Sequence, residues 1–225
     1  MYLSDRDLRW AMRQGHLLVV PAPDKPKQIG PTSIDLHLDR IEEAKIWDIP
    51  KFRNRCKQMG IGDVPELRIG TFDYKEFAGE FQVAPKTVKA GEGTDDLVFR
   101  RGDEIIVKPQ GFVLWQTKER VGTPEEGAQL ICFVDGKSTR ARTGLVVHMT
   151  APTIHAGWGA WPITLEIGNL GPFHFVLKED DVIAQITVAT ISSVPEKTMA
   201  EAGSMTRGQL NVGIQGQESP GRAPG

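Results

Sequence analysis

The chain is poor in cysteine: among 225 residues only Cys56 and Cys132 occur. They form no CxxC pair and no disulfide framework, which excludes a small disulfide-built fold and makes a reducing compartment the simple expectation. Charge of one sign is also lacking. A formal net charge of −2 argues against a general nucleic-acid binder, which carries a basic surplus, although local basic clusters can still hold phosphates. No stretch approaches the roughly 20 apolar residues of a membrane span, and the charged N-terminus has no apolar signal core. The expectation is a soluble cytoplasmic protein with neither membrane nor nucleic acid as partner. A P-loop is missing too. Gly136-Lys137-Ser138 looks like its tail, but the motif needs a glycine five residues before Gly136, where Ile131 stands. The residues beyond this turn are strand-like rather than helical.

The residues that are present point to β-structure. Strand-like runs recur at Leu97–Phe99, Glu104–Val107, Phe112–Thr117, Ala128–Val134, Leu145–Met149, Ile163–Ile167, Phe173–Leu177 and Val182–Thr190. Turns rich in Gly, Pro and Asp separate them, which predicts an all-β sandwich or barrel. Upstream, Leu17–Val20 is a short strand. Ile34, Leu36 and Leu38 alternate with Asp35, His37 and Asp39, the mark of a half-buried strand. Ser4–Gln14 reads as one short helix, with Ser4 as N-cap, Asp7 three residues on, Leu3 and Leu8 at staple positions and Gly15 at the stop.

The length suffices for one core, so 1–202 reads as a single β domain with 42–95 a variable insertion. Within the insertion, Lys51–Lys57 reads as a short basic helix. Phe72, Tyr74 and Phe77 suit a satellite hairpin or the cover of a sheet edge. Residues 203–225 are rich in Gly, Pro, Ser and Gln, hold no core pattern and read as a flexible C-terminal arm.

The chemistry concentrates in Asp135–Asn169. Gly136 permits a tight backbone, Lys137 brings a point charge, Ser138 and Thr139 bring hydroxyls, and Arg140 and Arg142 offer planar forks for phosphate or carboxylate. A polar hairpin turn with solvated charges is the plain alternative. In Pro162–Ile167, Ile163, Leu165 and Ile167 share one face while Thr164 and Glu166 share the other. Glu166 is then either a carboxylate on a wet strand face or a general base aimed into a cleft.

GKSTRARTGLVVHMTAPTIHAGW followed by ITLEIGN resembles the core of the dCTP deaminases, the zinc-free branch of the dUTPase-like superfamily. Family members carry a Gly-Lys/Arg-Ser-Ser/Thr-x-x-Arg-x-Gly block, an apolar strand ending near Thr-Ala, then Ile-Asp-Pro-Gly-Trp/Phe and Leu-Glu. Pro31-Thr32-Ser33-Ile34-Asp35-Leu36-His37-Leu38 is similar to the family's Ala/Thr-Ser-Ile-Asp-Leu-Arg-Leu strand. Ile214-Gln215-Gly216-Gln217 is similar to its Tyr-Gln-Gly-Gln tail. The resemblance implies a distorted jelly-roll, a homotrimer with sites between subunits, and hydrolysis of dCTP to dUTP and ammonia.

It also implies roles. Glu166 would be the base, and Ser138 with backbone carbonyls near Thr150 and Ala151 would hold the water and the exocyclic amine. Arg142 would orient the glutamate. Lys137, with Thr139 beside it, would meet the triphosphate, and Mg²⁺ would bind through the phosphate oxygens. His155 and Trp158 would line the deoxyribose, and Gln215 and Gln217 would belong to an arm that closes over the nucleotide. The H-x-E…P-C-x-x-C ligand set of zinc deaminases is absent, so no zinc is expected.

Three departures stand out. His155 occupies the family's Asp position. The stretch Gly157–Glu166 is one residue longer than usual, and a bulge at Trp161-Pro162 is the expected remedy. Ile214 replaces the tail tyrosine. These leave two alternatives: a pyrophosphatase of the same fold acting on dUTP or a related nucleotide, and a catalytically silent nucleotide-binding protein.

Overall fold

The apolar alternation of the sequence becomes a set of antiparallel strands in the structure, a computed structural model that describes residues 1–25, 27–71 and 73–197. In chain order the elements begin with α1 (Asp5–Arg13), β1 (Leu18–Val20), β2 (Ile34–His37), β3 (Ile46–Trp47), α2 (Ile49–Gln58), α3 (Tyr74–Phe81) and β4 (Gln82–Val83). Next come β5 (Val98–Arg101), β6 (Glu104–Val107), β7 (Phe112–Thr123), β8 (Leu130–Gly136) and α4 (Ser138–Ala141). The last are β9 (Leu145–Val146), β10 (Thr153–Ile154), β11 (Gly159–Asn169), β12 (Phe175–Lys178) and β13 (Val182–Thr190). The fold is mainly β, as the strand spacing predicts. Among the described residues no helix is long and apolar enough to cross a membrane.

The chain divides into two compact units; among the described residues the larger holds 1–47 and 83–197, the smaller 48–82. The larger contains two four-stranded sheets, in the orders β1-β7-β11-β9 and β10-β8-β13-β2, and a three-stranded sheet β12-β6-β5. The two larger sheets share one core, with Val113, Trp115, Leu165 and Ile167 from the first and Leu36, Cys132, Val134, Ile186 and Val188 from the second. The Trp115 indole N–H is satisfied by the carbonyls of Asp39 and Arg40, each at 3.1 Å. At the N-terminus α1 has the capping box its sequence predicts, with Ser4 accepting from the Asp7 amide and Asp7 from the Ser4 amide.

In the smaller unit Asp48 and Asp73 cap α2 and α3 by accepting from the Lys51 and Glu76 amides. Phe52, Phe77 and Phe81 form an aromatic cluster with centroids 5.0 to 5.1 Å apart. The basic helix is thus present, but the hairpin is not. Tyr74 and Phe77 lie on α3, where spacing of three and four residues puts Tyr74, Phe77 and Phe81 on one helical face. Phe72 lies outside the described residues.

The longest ladder joins β7 to β11, and it is irregular. Pro162 faces Arg120, whereas Thr164 faces Gln116. From 120 to 116 is four steps on β7, and from 162 to 164 only two on β11. The irregularity falls directly after Trp161-Pro162, where the sequence leads one to expect a bulge. Three residues of β7, Thr117–Glu119, stand opposite the single Ile163, so the surplus of two lies on the partner strand and the break does not absorb an extra residue on β11 as the sequence leads one to expect.

Candidate active site

Glu166 sits on β11 between Leu165 and Ile167, both fully buried, and is itself half-buried. Strand alternation therefore turns its carboxylate away from the core. One oxygen is held: the Met149 amide N–H donates to Glu166 Oε2 at 3.2 Å. Gly168, two residues on, is closely covered, since a Cβ there would lie 3.0 Å from Met149 Cε. The Met149 amide is a partner that sequence reasoning misses, because a backbone donor leaves no side-chain signature.

The Gly-Lys-Ser-Thr segment forms a helical turn rather than a hairpin. Lys137 is extended at the N-cap of α4, Ser138 opens the turn and Arg142 is its C-cap. The Thr143 hydroxyl ties the end of the turn to the Arg140 carbonyl at 2.7 Å. Gly144 then takes φ +95°, with the Gly171 amide so near that no Cβ would fit. Ser138, Thr139 and Arg142 are exposed. Among the described residues none of them hydrogen-bonds Glu166.

Arg140 is half-buried, and its Nη1 is buried without a hydrogen-bond partner. Lys137 is already engaged. Its ammonium lies 2.6 Å from Asp35 Oδ1 and 3.3 Å from Gln185 Oε1. Asp35, on β2, thus neutralises the charge that the sequence offers to a triphosphate.

Thr150 and Ala151 are exposed on the segment before β10. The next carbonyl, of Pro152, accepts from the Val134 amide at 2.8 Å and ties this segment to β8. His155, just after β10, is exposed. The turn beyond it needs glycine, with φ +83° at Gly157 and +79° at Gly159. The Gly157 amide donates to the Thr123 hydroxyl at 2.8 Å, which pins the turn to the end of β7. Trp158 packs against the core with its indole N–H buried and unpartnered. Gln215 and Gln217 lie outside the described residues.

The structure therefore gathers Glu166 with Met149, and Lys137 with Asp35 and Gln185, but joins neither group to Ser138 or Arg142. Among the described residues no cluster of three or more His, Cys, Asp or Glu side chains has metal-binding geometry.

The larger unit is thus an antiparallel β domain with a half-buried carboxylate on one strand and hydroxyl and guanidinium groups on a separate helical turn. Its family is specific. Residues 2–191 match the family model described as dCTP deaminase-like, and the chain belongs to that family. It is 31% identical over 210 residues to the dCTP deaminase of Natronomonas pharaonis, covering 93% of this chain and 91% of that protein. It is also 31% identical over 220 residues to the dUMP-forming dCTP deaminase of Corynebacterium kroppenstedtii, covering 98% of this chain and 95% of that one. Among solved structures, the 2′-deoxycytidine 5′-triphosphate deaminase from Agrobacterium tumefaciens shares the fold with a TM-score of 0.53 and 17% identity. The match covers 84% of this chain and 48% of that one, so the chain spans about half its length.

Proposed function

We propose that this chain hydrolytically deaminates dCTP without zinc, with Glu166 as the proton shuttle. The observation that carries the reading is the half-buried Glu166 carboxylate, aimed off the core and held by one backbone amide, in a chain of the dCTP deaminase-like family. Water adds to C4 of the cytosine as Glu166 takes its proton and passes it to N3. The same carboxylate then moves the second proton of that water to the amine, which leaves as ammonia, so cytosine and water become uracil and ammonia. Ser138 and the carbonyls of Thr150 and Ala151 hold the water and the amine, and Arg142 steadies the developing charge.

The family resemblance implies a homotrimer with its sites between subunits, an arrangement in which Ser138 and Arg142 of one copy could meet Glu166 of another. Trp158 lies against the deoxyribose, beside His155, and Gln215 and Gln217 close over the nucleotide. The phosphates carry Mg²⁺ on their own oxygens and are met by Thr139 and Arg140. Lys137 joins them on exchanging its Asp35 partner.

The product is dUTP, because His155 stands where an aspartate would serve water activation for pyrophosphate release. A second reading, release of dUMP, is favoured by the name of the Corynebacterium relative. Incubation with Mg²⁺ and dCTP, dCMP, CTP or dUTP, followed by chromatography, separates them. Conversion of dCTP to dUTP, abolished by Glu166→Gln with binding retained, is the expected result. Formation of dUMP with pyrophosphate would establish the second reading, and binding without turnover of any of the four would sink both.

A further inference from the structure

The break in the β7–β11 ladder lies only three residues before Glu166 and is closed by side-chain chemistry. Opposite Ile163, β7 carries Thr117, Lys118 and Glu119. Thr117 is fully buried. Its hydroxyl accepts from the Ile163 amide at 2.9 Å and donates to the Glu119 carbonyl at 2.7 Å. It thus replaces the ladder bond that the extra residues displace. The segment is gripped from its other side as well, since Leu38 bridges to Thr117 and the His37 amide donates to Glu119 Oε2 at 2.8 Å. His37 Nδ1 lies 2.7 Å from the other oxygen of Glu119, a carboxylate only 2% exposed.

We infer that Thr117 is a positioning residue: its hydroxyl fixes the register of β11 and so the place of the Glu166 carboxylate. The inference rests on the reading of Glu166 as the proton shuttle. A slip of one residue would turn Glu166 into the core and Leu165 out of it. A slip of two would keep the face but carry the carboxylate about 7 Å along the strand. Thr117 touches no substrate in this scheme and acts through Ile163 and the strand beyond it. Valine has nearly the same shape and can close neither hydrogen bond, whereas serine can close both.

The test compares Thr117→Val, Thr117→Ser and Glu166→Gln with the parent chain, full length, on dCTP with Mg²⁺. Rates are normalised to nucleotide-binding sites counted by equilibrium dialysis. Thr117→Val is expected to lose about 10-fold or more in kcat per binding site with little change in KM, as a displaced catalytic group does. Thr117→Ser is expected to keep kcat within about threefold, because the hydroxyl is retained. A Thr117→Val protein with a lowered Tm but full kcat per site would overturn the inference, leaving Thr117 a purely structural residue. If Glu166→Gln turned over like the parent, the reading of Glu166 would itself fall, which is a distinguishable result. Hydrogen exchange on the parent chain gives a measurement independent of the variants. The Ile163 amide should be as protected as the ladder on either side, and fast exchange there overturns the inference.

Discussion

Lys137 shows how a cation with the right chemistry for a phosphate can be committed elsewhere. Its pair with Asp35 is partly buried, with side-chain exposures of 29% and 20%. Lys137→Met would leave the carboxylate without its cation, and a loss of about 1–2 kcal/mol is expected in urea unfolding. Asp35→Asn should cost less and should free the lysine, and a double-mutant cycle would read the coupling between them. Cys132 makes a second residue-level prediction. Burial alone pushes its thiol up to about 12, above its ordinary value of 9.0. The folded protein therefore keeps that thiol neutral. The associated stability is fully present below the unfolded pKa near 9 and is lost as pH rises from there through about 12. A disulfide reagent at pH 8 should find neither Cys132 nor the buried Cys56 until the chain unfolds. Glu166 is legible in the sequence because alternation isolates one acid in an apolar strand. The engagement of Lys137 is not, since residues 35 and 137 are 102 positions apart.

Strand β7 carries most at the next scale, because it pairs with β1 and β11 and holds the bulge. Its far end depends on a glycine. A Cβ at Gly122 would fall 1.6 Å from the Gly159 carbonyl oxygen, backbone against backbone. Gly122→Ala is therefore expected to cost roughly 3 kcal/mol or more, or to prevent folding, as read by circular dichroism and urea titration. The helix offers a milder test. Ser4→Ala removes one half of the capping box and should cost about 1 kcal/mol in the same titration.

The legibility of the elements divides along physical lines. Strands β6 and β13 match their sequence ranges to the residue, since each is a strand-like run closed by turn residues. The sequence pattern of β7 stops at Thr117, because Lys118 and Glu119 interrupt its apolar run. In the structure Glu119 is buried beside His37, a polar pairing that no periodicity signals. Likewise α4 reads as a hairpin turn because four residues are too few to show a helical period. Strand β9 is shorter than its apolar run, since the chain leaves the ladder after Val146 to bring the Met149 amide to Glu166.

For the whole molecule, the core of the larger unit is built from residues between Leu3 and Ala44 and between Val98 and Val188. The smaller unit has its own aromatic cluster. Replacing 48–82 by a short Gly-Ser linker is accordingly expected to leave a β domain that melts in one cooperative transition by circular dichroism. Loss of that transition would show that the larger core cannot stand alone.

The two sealed thiols have one more consequence. With no third cysteine in the sequence, the folded chain is blank to maleimide chemistry. Thr139→Cys, at an exposed position, would then carry the sole dye of each chain, and energy transfer between such dyes would test whether copies of the chain associate and, if they do, how far apart these positions lie.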